Sequence, residues 1–387
     1  MKLEHKKIVI IGGGPGGLTL ARLLQMNGAE VKVYEHDLDK NARVQGSPLD
    51  LHENSGLAAI SKAGLLDEFK NNFMPKADRM KIMNPAAEVL YSDHDEKIPE
   101  NFGDPHFRPE IDRGVLRKIL LESLQPETVV WNSHFTSMEK WDNSWKLHFK
   151  NRESVYADFV IAADGANSKI RKYITDIKPF YSGITMIEVT IYDAENKAPK
   201  VFELLSGGKI MAFGNEKNIL MGQKADGSIG FYTSLKLHEN WLSENEIDWN
   251  DRQSVFNWFK KKYSEWNSVW DELFENAELP FIPRPIYCMP LDQNWKSLPN
   301  LTMIGDAAHV MPPFAGEGVN MAMRDALDLS ELLLSENNSV EEAIEKFEIE
   351  MRKRASEAAK ESLENGETML SINSLTDMLK FFTAPHE

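Results

Sequence analysis

KIVIIGGGPGGLTLARLLQMNGAEVKVYE, residues 7–35, decides the fold. Lys7 to Ile11 reads as a short buried strand, because apolar branched residues follow one another without alternation. Leu18, Leu20, Ala21, Leu23 and Leu24 then give a strongly apolar helix, and Gly28 is placed to stop it. Glu30 to Glu35 alternates into a second strand. This strand–helix–strand opening predicts an α/β fold built on a parallel, doubly wound sheet. Between the first strand and the helix, Gly12, Gly14 and Gly17 form G-x-G-x-x-G, with Pro15 inside the motif. The first glycine makes the turn, the second lets backbone approach a pyrophosphate, and the third lets helix pack on strand. Phosphates at that helix start meet free N–H groups and the positive dipole end. Glu35 closes the second strand eighteen residues after Gly17. A carboxylate there accepts hydrogen bonds from ribose hydroxyls and repels a 2′-phosphate, which favours FAD or NAD over NADP.

Working outward, the 387 residues, 42% hydrophobic, suffice for two sub-structures sharing one core. A formal net charge of -16 argues against nucleic acid or an anionic membrane surface as partner. The single cysteine, Cys288, excludes an intramolecular disulfide and reads as a small core residue; no Cys/His set has zinc spacing. Lys2, Lys6 and Lys7 precede an apolar run that Gly12 breaks, too short for a signal peptide. No stretch approaches the roughly 20 apolar residues of a membrane span. Cytoplasmic location is the expectation.

Two further segments end like the first strand. DFVIAAD (158–164) and LTMIGD (301–306) are apolar runs, each closing on an acidic residue beside a glycine. Between them, ITMIEVTIY, KVFELL, GKIMAF, NILMG and SIGFYTSL over about 183–235 predict an antiparallel sheet. Phe259, Tyr263, Trp266, Trp270 and Leu273 recur at helical spacing and read as core. Val340, Ile344, Phe347, Met351 and Ala355 mark one long amphipathic helix. The C-terminal half separates FAD from NAD. Gly305 and Asp306 follow a buried strand, and Asp306 is placed to accept from a sugar-alcohol chain. Pro313, Ala315, Gly316, Gly318, Val319 and Asn320 lie where a new helix opens, with N–H groups suited to the negative pole of a reduced flavin.

With these motifs in order, the sequence resembles the class A flavoprotein monooxygenases: GGGPGG at 12–17, Asp164-Gly165 in ADGANSKIR, and GDAAH with PPFAGEGVN. Within that class it is similar to the flavin-dependent tetracycline monooxygenases, on TMIGDAAH, MPPFAG, GVN and KVYEHD through ARVQGSPLDLH. The resemblance implies an FAD enzyme that takes electrons from NAD(P)H, activates O2 and hydroxylates an electron-rich aromatic or enolic small molecule, as a monomer. It implies that Arg43 serves the nicotinamide cofactor, that Asp50, Arg113 and Asp306 contact FAD, and that Asp164 and Gly165 serve both. Where the tetracycline enzymes have a glutamine, a histidine and an arginine as substrate contacts, this chain has Glu188, Gly230 and Lys209, with Met211, Met221, Phe314 and Met369 as further contacts. Lys209 could pair with Glu188; Arg117 reads as a helix-face charge and His309 as a supporting histidine. The implied architecture is a discontinuous FAD-binding domain (1–72, 108–178 and 276–320), an interleaved antiparallel substrate domain (73–107 and 179–275) and C-terminal helices (321–387) that close the cleft. A dehydrogenase or reductase on the same fold, or a non-catalytic flavin-binding protein, are the alternatives the motifs leave open.

Overall fold

The computed structural model describes residues 3–42, 47–96, 101–104 and 106–384, so Arg43 lies outside the described residues. In chain order the strands are β1 (Ile8–Ile11), β2 (Val31–Tyr34), β3 (Leu49–Asp50), β4 (Met80–Met83), β5 (Val89–Ser92), β6 (Glu110–Ile111) and β7 (Val129–Val130). They continue as β8 (Phe135–Trp141), β9 (Ser144–Phe149), β10 (Val155–Ala157), β11 (Phe159–Ala162) and β12 (Phe180–Ile191). The last are β13 (Lys209–Gly214), β14 (Lys217–Gln223), β15 (Ile229–Lys236), β16 (Ile282–Cys288) and β17 (Leu301–Met303). The helices around the site are α1 (Pro15–Met26), α2 (Arg113–Glu122), α3 (Gly318–Leu334), α4 (Val340–Met369) and α5 (Ser374–Thr383).

All four residues of β1 are buried, because it is the middle strand of a parallel sheet ordered β17-β11-β1-β2-β7. Ile8 pairs with Val31 on one side and Phe159 on the other. Burying each such aliphatic side chain contributes roughly 1.5–3 kcal/mol. α1 crosses α3 closely: a Cβ on Gly16 would lie 2.9 Å from the Ala322 carbonyl oxygen. The two acidic ends of β11 and β17 therefore meet the glycine turn of β1 at one edge of one sheet, as the three separate motifs predicted.

The second sheet has seven strands in the order β16-β12-β15-β14-β13-β4-β5, antiparallel except for β13 with β4. Its register sets Glu188, Tyr232, Leu220, Met211 and Ile82 side by side in one row across five strands. Side chains alternate between faces, so this row fronts one side. The other side buries Ile187, Val189, Ile219, Met221 and Phe231 against Trp258, Phe259, Tyr263, Trp266 and Trp270.

Three expectations change. KVFELL is not a strand: Pro199–Leu205 is a helix, with proline at its first turn and Val201 and Leu205 buried one turn apart. The aromatic stripe is core but not one helix: Phe259 lies on Arg252–Lys262, Tyr263 and Trp266 in the turn after it, Trp270 in a 3-10 turn, and Leu273 on a new helix that starts at Asp271. β16, grouped above with the FAD-binding part, is the edge strand of the seven-stranded sheet. α4 starts on a capping box, Ser339 with Glu342, and buries Ala343, Ile344, Phe347 and Met351, then continues to Met369. No helix among the described residues is long and apolar enough to cross a membrane.

Candidate functional site

One cleft of about 1450 Å³ separates the two sheets. Single small-molecule pockets run to roughly 300–1,000 Å³, so this one has room for more than one ligand. Its parallel-sheet wall begins with the glycine turn. Gly12 sits at φ +111, and a Cβ there would meet the Ala163 carbonyl oxygen at 2.1 Å. A Cβ on Gly17 would meet the Gly12 carbonyl oxygen at 2.2 Å. Gly14 caps α1 with no side-chain hydrogen bond, and open space lies beyond it. The turn therefore presents free N–H groups to a cradle that a bulkier residue would fill. Glu35 is buried behind it, accepting from Gly13 N at 2.5 Å and Asp37 N at 2.9 Å. Arg117 is not a helix-face charge: it is buried, pairs with Asp37 at 2.9 Å and lies over Trp131. Glu35, His36 and Asp37 bring ligand-type atoms within 4.8 Å of one another, but the Glu35 and Asp37 carboxylates already hold these partners.

The far end of the same wall is the loop after β17. Asp306 faces the cleft; the protein packed round it pushes its pKa up, against the pull of His309, Arg113 and Arg171. Arg171, from ADGANSKIR, fixes this loop by donating to the Asp306 and Ala307 carbonyls at 2.8 and 2.7 Å. Asp325 on α3 holds it from below, accepting from Gly305 N at 2.8 Å and pairing with His309 at 2.6 Å. His309 is buried and turned from the cleft, so it supports the loop. Asp164 Oδ2 caps Lys169 N at 2.9 Å, while its Oδ1 is buried with no hydrogen-bond partner. Burial raises the Asp164 pKa. Arg113, the first residue of α2, opens onto the cleft with no ion-pair partner among the described residues.

Gly305, Pro313, Ala315, Gly316, Gly318 and Val319 line the cleft, and so do Asp50 and Gly165. Asn320 does not. Its side chain is fully buried, donating to the Asp50 carbonyl and accepting from His52 N and Ser55 Oγ. It fastens β3 to α3 and does not offer its amide to a ligand.

On the opposite wall, Lys209 ion-pairs with buried Glu110, not with Glu188. Burial pushes Lys209 down, but Glu110 and Asp50 outweigh it and raise its pKa. Glu188 pairs instead with Arg284 of β16, a residue the sequence reading missed. Gly230 is not an open notch: a Cβ there would lie 3.1 Å from Lys224 Cε, and Lys224 reaches on to Thr190 Oγ1 at 3.2 Å. Met221 puts its side chain into the core behind the sheet, and its neighbour Leu220 takes the cleft-facing place. Met211, Phe314 and Met369 line the cleft, joined by Met186, Tyr232, Ile286, Met378 and Phe382. α5 carries the last two; strict alternation on β12 and β15 could have given Met186 and Tyr232.

A sequence profile of the FAD binding domain family matches residues 5–221 and 295–362. The chain is 28% identical over 382 residues to the monooxygenase asqM of Emericella nidulans, covering 84% of this chain and 83% of that one. Its fold is that of HpxO from Klebsiella pneumoniae, solved with FAD and uric acid: TM-score 0.77 at 18% identity, covering 98% of this chain and 93% of that one. It also matches the tetracycline destructase Tet(51), with TM-score 0.72 at 18% identity over 97% of this chain and 94% of that one. At such identities the likeness to both structures is one of fold.

Proposed function

We propose that this chain, which belongs to the FAD binding domain family and is an FAD-dependent monooxygenase, draws its electrons from NAD(P)H and hydroxylates an electron-rich aromatic or enolic small molecule. The observation that carries this reading is the single cleft: it joins the Gly12–Gly17 turn and Glu35 to the Asp306 loop and then to the apolar row of Tyr232, Leu220 and Met211. FAD, when bound, supplies the redox chemistry, taking reducing equivalents and activating O2. The chain's own residues bind, orient and exclude water. The Gly14 turn and the start of α1 take the pyrophosphate, and Glu35 takes ribose hydroxyls. Arg113 and Asp306 would hold the ribityl stretch, and the backbone N–H groups of Gly318 and Val319 at the start of α3 would serve the flavin's negative pole. Phe314, Met369, Met186 and Leu220 dry the reacting region, while the Glu188–Arg284 pair borders it as a closed polar edge. Cys288 takes no part: it is buried, and burial pushes its thiol up to about 11. The test is a screen for compounds that stimulate NAD(P)H oxidation, with product mass read under labelled dioxygen. One labelled oxygen per product supports the reading; a product dehydrogenated without label assigns a flavin dehydrogenase instead.

Glu35→Ala should raise the FAD dissociation constant about ten- to a hundredfold, the range for a lost charged hydrogen bond of roughly 1.5–3 kcal/mol. Fluorescence titration of the apoprotein checks this, and an unchanged constant places the ribose elsewhere.

Tetracycline should be a poor substrate. Lys209 is committed to Glu110, Glu188 to Arg284, and Lys224 fills the space beside Gly230. Three missing contacts at about 1 kcal/mol each amount to roughly a hundredfold in affinity. Tetracycline-stimulated NAD(P)H oxidation should stay near background; efficient, coupled hydroxylation would show that these residues are not the substrate contacts.

A further inference from the structure

His52 is absent from every role assigned so far, yet it occupies the joint of the cofactor wall. It lies two residues beyond Asp50, the end of β3. Its Nε2 lies 3.1 Å from Asp50 Oδ2, and its Nδ1 lies 3.2 Å from Glu317 Oε1. Its side chain is 13% exposed, against 25% for Asp50 and 20% for Glu317, so all three sit largely out of water. Glu317 belongs to the turn between Gly316 and Gly318. Gly316 takes φ +70, and a Cβ on it would lie 3.5 Å from Asp50 Oδ2. The neighbouring joint, made by Asn320, is neutral. An imidazole with both nitrogens between carboxylates can satisfy both only when both nitrogens carry hydrogen, which is the cationic form.

We propose that protonated His52 is a positioning residue for FAD, bridging Asp50 and Glu317 so that the Gly316–Gly318 turn stays docked on β3 and the start of α3, with the N–H groups of Gly318 and Val319, stays at the cleft. This rests on the placement of FAD given above. The charged groups facing the joint are Asp50 from β3 and Glu317 from the turn; behind Asp50 stand Lys209 from β13 and its partner Glu110 from β6. Lys209 and Glu110 offset one another. Without the His52 charge, Asp50 and Glu317 would face each other as like charges beside a site built for an anionic ligand, and the turn would be pushed off β3. His52 thus acts twice, by holding the turn and by lowering the negative field at its tip. Burial works against its charged form, but the hydrogen bonds to Asp50 and Glu317 outweigh it and lift its pKa from 6.5 to about 9. A raised folded-state pKa means the contribution is complete below 6.5 and is lost as pH rises through about 9.

The experiment is FAD titration of the apoprotein, followed by flavin fluorescence from neutral pH upward, for wild type, His52→Gln and His52→Lys. The reduction potential of each loaded form is measured alongside. Wild type should bind tightly at neutral pH and weaken roughly tenfold as pH passes about 9. His52→Gln should bind roughly tenfold more weakly already at neutral pH, show no such step, and hold its flavin at a more negative potential. His52→Lys, which keeps the charge, should restore neutral-pH affinity and potential; a merely space-filling role would not sort the variants by charge. If His52→Gln fails to fold, the wild-type step and the lysine rescue decide. No step in wild type, or a glutamine variant that binds and poises FAD like wild type, overturns the proposal while leaving the FAD site intact. Failure of wild type to bind FAD at any pH overturns the site itself.

Discussion

Asp325→Ala should cost about 3–5 kcal/mol of folding stability, the usual price of removing one partner from a buried charged pair. Asp325 is 1% exposed and gathers three donors: Gly305 N at 2.8 Å, His309 Nε2 at 2.6 Å and Arg354 Nη2 at 2.8 Å. Truncation leaves the His309 ring with no acceptor and frees the Gly305 turn, whose φ of +60 is held by that bond. Asp325→Asn should be milder, because an amide oxygen still accepts from Gly305 N. Burial works against both charges, but each raises the other's charged form, lowering the Asp325 pKa and raising that of His309. The aspartate share is therefore lost as pH falls below the ordinary 3.8, and the histidine share as pH rises beyond the ordinary 6.5. The difference from wild type should be largest between those values. Urea unfolding across that range checks it, and an alanine variant within about 1 kcal/mol of wild type would show that the pair contributes little.

Gly12→Ala and Gly14→Ala should part sharply, although they lie two residues apart. At Gly12 the added Cβ meets the Ala163 carbonyl oxygen at 2.1 Å and its carbon at 2.6 Å, at a φ of +111 that side chains avoid. Backbone strain of about 1–3 kcal/mol and a similar overpacking cost would force β1 from β11. Gly12→Ala should thus be poorly soluble or free of FAD. At Gly14, φ is -80 and no protein atom lies within 4 Å of the added Cβ. Gly14→Ala should melt like the wild-type apoprotein yet bind FAD at least tenfold more weakly, because its methyl group fills the space given to the pyrophosphate. Wild-type affinity in Gly14→Ala would move the pyrophosphate elsewhere.

What the sequence revealed depended on how local the signal was. β1, α1 and β2 are adjacent in the chain, and their periodicities change cleanly at glycines, so the turn, its helix and Glu35 could be read directly. The Asp306 loop was legible for the same reason. Arg284 was not, because β16 carries Pro283 and Pro285, which speak against a strand; its place at the sheet edge is what tolerates them. Met221 was taken for Leu220 because a one-residue shift in a strand exchanges its two faces. His52 closes the stretch ARVQGSPLDLH, but its partner Glu317 is distant in the chain, so only the fold reveals the pair. Arg117 misled in the opposite sense: a charge on a helix face is normally solvated, but here Asp37 and Trp131 enclose it.

The most direct test of the FAD site is the visible spectrum of the purified protein, mixed with FAD and freed of excess by gel filtration. The protein should be yellow, with one FAD per chain that is released intact on denaturation and bleached by NADH or NADPH without oxygen. A folded protein that stays colourless after reconstitution would contradict it.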